Sequence, residues 1–419
     1  MRIRSCLLLV GLLGCDSLWR SSLIPNPERC DVTPTVCTAD QVCDASTGSC
    51  VSPSSPDGGA GRCGVRWQSS PASASFQSQS LLVSMGSAGD LVSIGLGDLD
   101  GNGTLDLAAV SDSGSLWSFL GAGSGAFSAL TSASLSGTAG QLRLADLNGD
   151  GRADLVVSNT SARLLRTSVA NPDGSFAAAM TTSVANLGRA VCVAELDRSG
   201  RPDVAVALDG SNGLAVLIGD GSGGLAAPQG IPNSRAASLL TAADFNGDGL
   251  ADLAALEIGG SDFQIYLNNN AGSSYLRRSS ALPNGQYGYG MVSADFDCDG
   301  HADLAMGTTG NNRIAVYFGD GQGRFAASSS VATAAEPREL VAGDLDGDGN
   351  PDIGFFDQYG DVYVLPGRGT RDFVATPQRI TGPQATASLQ LADVNKDGKA
   401  DLVLVHQYKS VMTLLNSTP

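Results

Sequence analysis

Carboxylates recur through this chain at a spacing that suits one hard cation. In Asp344-Leu345-Asp346-Gly347-Asp348-Gly349-Asn350-Pro351-Asp352 the acids stand at positions 1, 3, 5 and 9. Four side-chain oxygens so placed can surround one ion, and the backbone carbonyl of position 7 adds a neutral donor. Glycine at position 6 lets the chain turn tightly enough for the oxygens to converge. Oxygen ligands in a flexible ring select calcium over zinc or copper, whereas magnesium asks for fewer ligands in stricter octahedral geometry.

The same nine-residue loop starts seven times, at Asp98, Asp146, Glu195, Asp244, Asp295, Asp344 and Asp393, at intervals of 48, 49, 49, 51, 49 and 49 residues. With the position-7 carbonyl included, six ligand sets are expected. They are Asp98, Asp100, Asn102, Thr104, Asp106; Asp146, Asn148, Asp150, Arg152, Asp154; and Asp244, Asn246, Asp248, Leu250, Asp252. The others are Asp295, Asp297, Asp299, His301, Asp303; Asp344, Asp346, Asp348, Asn350, Asp352; and Asp393, Asn395, Asp397, Lys399, Asp401. Asn in place of Asp keeps an oxygen and drops a charge. The third loop departs, with Glu195, Asp197, Ser199 and Asp203, and Arg198 beside them. A longer first side chain, a weak hydroxyl ligand and a nearby cation oppose tight binding, so this site is expected to be weak or empty.

The formal net charge is −17, and the loops hold 23 of the 42 acidic residues. Three or four carboxylates within nine residues repel strongly without a cation, which favours metal sites over turns that happen to be acidic. Six bound dications would bring the net charge to about −5. Each site is supplied with ligands by protein alone, so the role expected of the ions is structural. The acidity has the wrong sign for nucleic acid: of 25 basic residues only Lys396, Lys399 and Lys409 are lysines, and no basic stripe is present.

Catalytic motifs are missing. The two histidines are His301, where only its carbonyl is asked for, and His406, with no Ser or Cys motif beside it. There is no GxSxG, HExxH or P-loop pattern, and the acids that could pair for glycoside cleavage are claimed by the loops. No catalytic residue and no cofactor other than calcium is assigned. A binding module is the favoured reading; a secreted carbohydrate-active enzyme, lyase or hydrolase, on the same scaffold is the alternative.

The elements that must hold the loops repeat with them. A short strand leads into each loop, with an apolar residue four positions ahead (Ile94, Leu142, Val191, Leu240, Met291, Leu340, Leu389) and Gly or Ala directly before it. After the loop come an apolar run such as Asp154-Leu155-Val156-Val157, a polar turn, and a third strand such as Ile314 to Phe318. A Gly-rich turn (GDGQGRF, 319–325) and a more polar fourth strand follow. Four short strands per repeat, none able to bury its faces alone, predict an all-β, seven-bladed β-propeller. The seventh repeat ends after its third strand, Val411 to Leu415. Residues 74–83 carry the fourth-strand pattern and are expected to complete that blade, closing the ring over residues 70–419.

The DxDxDG-type loops and GxGxGxF-type turns, such as Gly219-Asp220-Gly221-Ser222-Gly223-Gly224-Leu225, resemble the FG-GAP or VCBS repeats that build the integrin α-chain propeller. That resemblance implies a seven-bladed ring, calcium in the loops and, from the breadth of the family, adhesion or recognition of protein or glycan. In integrins the ligand face lies opposite the calcium hairpins. Loops expected on that face carry Tyr287, Tyr289, Tyr359, Tyr408, Arg189 and Arg235, with Gln-Tyr occurring at 286–287, 358–359 and 407–408.

The N-terminus reads as an export and anchoring segment. Residues 1–14 carry a basic start at Arg2 and Arg4 and an apolar stretch, Leu7 to Leu13, too short to cross a bilayer. Leu12-Leu13-Gly14-Cys15 resembles the lipobox of bacterial lipoproteins, which implies lipidation of Cys15 and an envelope-anchored protein, periplasmic or at the cell surface. Residues 15–29 form an anchor or linker. Cys30, Cys37, Cys43 and Cys50 define a small two-disulfide module over 30–50, with three connectivities open. A Ser/Pro/Gly-rich spacer spans 51–69. With Cys6 removed and Cys15 acylated an odd number of cysteines remains, so at least one thiol among Cys63, Cys192 and Cys298 is expected to be free or paired between chains.

Overall fold

The computed structural model describes residues 42–44, 49–51 and 74–418. Within the last range it leaves out 85–88, 211–212, 258–261, 270–271, 273, 282–287, 309, 326–328, 375, 381–385 and 407. The signal segment, Cys15, most of the 30–50 module, the 51–69 spacer and Tyr287 therefore lie outside the described residues. Within 30–50, the strands Val42–Asp44 and Ser49–Val51 pair antiparallel and bring Cys43 opposite Cys50 in register.

The rest is all-β, in seven four-stranded antiparallel sheets. Their first strands are Leu91–Gly97, Ala139–Ala145, Gly188–Ala194, Ala237–Ala243, Gly288–Ala294, Pro337–Gly343 and Thr386–Ala392, which number blades 1 to 7. Each first strand pairs with the strand that leaves its acidic loop, as Ala145 pairs with Asp154 and Gly343 with Asp352. The loop is thus the hairpin between strands one and two. All seven loops fall on one rim of the ring, and the hairpins between strands two and three fall on the other.

Second strands such as Asp106–Ser111 and Asp203–Leu208 are buried along their whole length. Outer strands such as Phe127–Ser134 are exposed after their first residue. Residues of alternating direction on a strand face opposite sides of the sheet, so a strand buried on both faces must have a blade on either side. Seven apolar clusters meet that demand, one at each interface between neighbouring blades. One of them joins Leu91, Ile94 and Leu107 of blade 1 to Val394, Val403 and Val405 of blade 7, so the ring closes on itself.

Closure uses the N-terminal strand as the sequence predicts. Phe76–Ser84 pairs antiparallel with Ser410–Asn416, with Phe76 opposite Asn416 and Ser84 opposite Ser410. Beyond the strand, Ser417 N–H donates to Ser75 O at 2.7 Å, and Ser75 N–H donates to Thr418 Oγ1 at 3.0 Å. Ala74 is buried in the core between blades 6 and 7. The small residue before each loop has a packing cause. A Cβ on Gly97 would meet Ala153 Cβ of the next blade at 2.6 Å, and one on Gly343 would meet Leu391 Cδ2 at 2.4 Å.

Candidate functional site

In each loop the first carboxylate organises the turn. Asp344 Oδ1 accepts from the N–H groups of Gly347 (2.7 Å) and Asp348 (3.1 Å), and its Oδ2 accepts from Gly349 (2.9 Å). Asp98 repeats this with Gly101, Asn102 and Gly103. The position-6 glycine that makes the last of these bonds has positive φ in all seven loops, from 77° at Gly103 and Gly200 to 89° at Gly300. Position 4 adopts positive φ too, and there Arg198, Cys298 and Lys396 bear the strain of a side chain in the left-handed region.

The ninth aspartate has a second duty that the ligand pattern does not reveal. Asp106, Asp154, Asp203, Asp252, Asp303, Asp352 and Asp401 are all completely buried. One oxygen of Asp352 accepts from Leu345 N–H at 2.8 Å, while the other accepts from Gly367 N–H at 2.7 Å, where the third strand ends. Asp106 does the same with Leu99 and Gly121, and Asp203 with Leu196 and Gly219. The ninth acid therefore staples its loop to the third strand of the same blade. Gly at the far end of that staple has its own cause: a Cβ on Gly367 would lie 2.1 Å from Pro351 O.

Burial, reinforced by neighbouring carboxylates, pushes these acids up. Asp106, Asp154 and Asp401 rise to about 6, Asp203 and Asp252 to about 7, and Asp303 to about 8. Asp346 rises to about 7 for the same reasons. A divalent cation among these oxygens would oppose both effects.

Ligand oxygens of Asp98, Asp100 and Asp106 lie within 4.8 Å of one another, as do those of Asp295, Asp297 and Asp299, and of Asp344, Asp346 and Asp348. Glu195, Asp197 and Asp203 converge equally closely, so the third loop keeps its acidic cluster. What it loses is local. Glu195 Oε1 accepts from Asp197 and Ser199 N–H, and Glu195 Oε2 is buried without a hydrogen-bond partner. Arg198 is directed away from this cluster, donating to Asp248 O of the fourth loop at 3.2 Å. In the sixth loop Asp346 Oδ2 is likewise buried and unpartnered. In the Asn-bearing loops the amide turns to its neighbour: Asn148 Nδ2 donates to Asp150 Oδ2 at 2.9 Å, as Asn246 does to Asp248 and Asn395 to Asp397.

Position 7 supplies more than a carbonyl in several loops, and Thr104 Oγ1 accepts from Lys396 Nζ at 3.0 Å. The Arg152 guanidinium pairs with Asp150, and Lys399 Nζ reaches Thr418 O. His301 is exposed, its ring against Gly321. A cation that the ligand pattern misses sits on the fifth loop: Arg371 of blade 6 donates from Nε to Asp297 Oδ2 at 2.8 Å and approaches Asp299 at 3.8 Å. Two buried asparagines also tie neighbouring blades. Asn268 Nδ2 donates to Leu196 O of blade 3, and Asn416 Nδ2 to Leu345 O of blade 6.

The opposite rim divides into two sectors. Tyr289, Tyr359 and Tyr408 are 49%, 69% and 49% exposed and stand on consecutive blades 5, 6 and 7. The Arg338 guanidinium lies over the Tyr289 ring at 4.6 Å. The two expected arginines belong elsewhere and are engaged. Arg189 pairs with Asp209 in blade 3, and Arg235 pairs with Glu257 in blade 4 at 3.2 Å. Arg277 takes the other oxygen of Glu257 at 3.1 Å. Cys192 is a free, buried thiol in blade 3, and Cys298 is disulfide-bonded.

The fold and the loops together define a seven-bladed propeller with an acidic hairpin in every blade. The chain belongs to the FG-GAP-like repeat family, which matches residues 98–157, 195–255, 244–306, 295–355 and 347–404. It is 30% identical over 137 residues to the phosphatidylinositol-glycan-specific phospholipase D of Mus musculus, a match covering 28% of this chain and 16% of that enzyme. The corresponding protein of Rattus norvegicus is 33% identical over 85 residues, 17% of this chain and 10% of the relative. The chain thus spans only a small part of the length of these relatives.

Among solved structures it is similar to BBS1N in complex with ARL6DN, with TM-score 0.58 and 10% identity, covering 81% of this chain and 96% of the other. It is also similar to an Agrocybe aegerita lectin, with TM-score 0.53 and 20% identity, covering 78% and 86%. At such identities the likeness is one of fold.

Proposed function

We propose that this chain is a recognition module, stiffened by calcium and held at a bacterial cell envelope, that binds extracellular or envelope protein or glycan through the rim opposite its acidic loops. The observation that carries this reading is the placement of exposed aromatics. Among the described residues every exposed tyrosine lies on that rim, on three consecutive blades, while the exposed Leu130, Met180 and Leu276 sit on outer strands. Tyrosine joins a flat apolar face to a hydroxyl, which suits it to stacking on sugar rings and to peptide contacts.

The calcium part of the proposal rests on the fit of the donor set. Glu195 Oε2 and Asp346 Oδ2 are buried oxygens without partners, and each stands in a cluster of three converging carboxylates. Asp344, Asp346 and Asp348, with the Asn350 carbonyl and Asp352, would hold the ion in the sixth loop. The corresponding residues would do so in the other five regular loops, and the third loop would hold it weakly. The ion would supply positive charge that fixes the hairpin. Anchoring through Cys15 rests on the lipobox-like LLGC sequence, and retention of Cys15→Ser in the membrane fraction would exclude it.

A glycan array that includes N-acetylglucosamine-terminated oligosaccharides, the ligand class recognised by the similar lectin, tests the binding claim. Binding should be lost in the combined Tyr289→Ala, Tyr359→Ala, Tyr408→Ala variant and kept in an Arg189→Ala, Arg235→Ala variant. Equal binding by the triple variant would remove the rim from consideration.

A further inference from the structure

The first strands of the blades surround the ring axis and leave a cavity of about 140 Å³ there. Its polar lining comes from Gln141 and Arg143 of blade 2, Tyr289 of blade 5, Glu339 of blade 6 and Gln390 of blade 7. Tyr289 lies near the start of its strand, and the acidic loops follow the strand ends, so the cavity mouth opens on the rim away from the loops.

Arg143 is only 4% exposed. Its Nη1 donates to Leu142 O at 2.8 Å, but its Nε is buried with no hydrogen-bond partner. Among the described residues no carboxylate lies within ion-pairing distance of it. A desolvated guanidinium with an unused N–H and no contacting anion is costly, and nothing in the packing of blade 2 requires an arginine there: Cys192, Thr241 and Val292 occupy the equivalent position in the next three blades. Across the axis Glu339 Oε2 accepts from Leu389 N–H at 2.9 Å, and the Ser388 hydroxyl assists. Burial pushes the Glu339 carboxyl up, while the Leu389 bond and the charge of Arg143 pull against that rise. The cavity therefore offers one cationic donor and one anionic acceptor from opposite sides of the ring, in a space that holds a few water-sized groups.

We propose that the axial cavity binds a small zwitterion of the amino-acid class, its carboxylate on the Arg143 guanidinium and its ammonium towards Glu339. A carboxylate gives Arg143 a charge-assisted partner. A plain anion would leave the cavity with uncompensated negative charge beside Glu339, and a plain cation would leave Arg143 unpaired. A solute with both groups answers both. This site is separate from the tyrosine-bearing surface, although Tyr289 borders each.

The test is calorimetric titration of the calcium-loaded full chain with glycine, β-alanine and 4-aminobutyrate, against acetate and methylammonium. Saturable binding of one zwitterion is expected, at least tenfold tighter than either single ion. It should weaken at least tenfold in Arg143→Met and in Glu339→Gln. No saturable binding of any zwitterion, equal binding of acetate, or unchanged affinity in both variants would overturn the proposal. Should Arg143→Met fail to fold, a Tyr289→Trp variant places a fluorophore at the mouth. Its emission should change saturably with the same zwitterion that binds the wild type, and an unchanged emission at saturating solute counts against the site.

Discussion

The two rims of the ring are built on opposite rules. On the loop rim one nine-residue pattern is used seven times, and its ninth aspartate is completely buried in every blade, including the divergent third. The other rim follows no such common pattern. Blades 5 to 7 present Tyr289, Tyr359 and Tyr408, whereas blades 3 and 4 present arginines already paired to Asp209 and Glu257. Repetition marks what every blade needs in order to exist, a hairpin stapled to its third strand. Variation marks the surface that is free to differ, and the proposed binding site is placed there for that reason.

The sharpest way to break this contrast is to cut one staple. Asp352→Ala strands the N–H groups of Leu345, Asp346 and Gly367 and should destabilise the domain by about 3–5 kcal/mol. Denaturant unfolding measures this, and a loss below 1 kcal/mol would show that the loop rim is not structural. Calcium removal comes next. A site held at a hundredfold excess over its Kd contributes about 2.7 kcal/mol, so chelation should lower the melting temperature by many degrees. A melting curve indifferent to chelator would refute calcium loops altogether.

Within the loop rim the third and fifth sites should stand apart. Glu195→Asp restores the shorter first ligand and should raise calcium affinity at that loop several-fold in a competition titration with a chromophoric chelator. Arg371 is more than half exposed, so its hold on Asp297 is weak. Arg371→Ala should tighten the fifth site by about two- to fivefold, corresponding to about 0.5–1 kcal/mol. Smallest of all is the stability effect on the opposite rim: Tyr359→Ala should shift unfolding by no more than about 0.5 kcal/mol. A larger loss would mean that the tyrosines are part of the framework, and the contrast between rims would fail.

Much of the ring was legible in the chain. The loop spacing announces seven blades, because each blade needs one tight acidic hairpin and the same number of residues to make four strands. The segment beginning at Ala74 carries the fourth-strand pattern, and its strand Phe76–Ser84 completes blade 7 beside Ser410–Asn416. The partners of the opposite rim's arginines could not be read from the chain: Arg189 pairs with Asp209 and Arg235 with Glu257 only in space. Arg371 could not be found at all, because its contact with Asp297 joins residues 74 apart and two different blades. Cys298 and Lys396 carried no hint that their backbone would turn left-handed where other loops use glycine.

By itself the sequence determined the fold class, the blade count, the N-terminal closure and the candidate ligand at each loop position. All of these are local patterns repeated along the chain, and a repeat is readable wherever each copy makes the same contacts. Only the tertiary structure decided which charges meet. It directed Arg198 away from its own loop, set Arg371 on a neighbour's, made the ninth aspartate a buried staple, gathered the tyrosines into one sector, and placed Arg143 and Glu339 in the lining of one axial cavity. Those relations depend on how blades are ordered around a closed ring, and residues distant in sequence become neighbours only once the ring has closed.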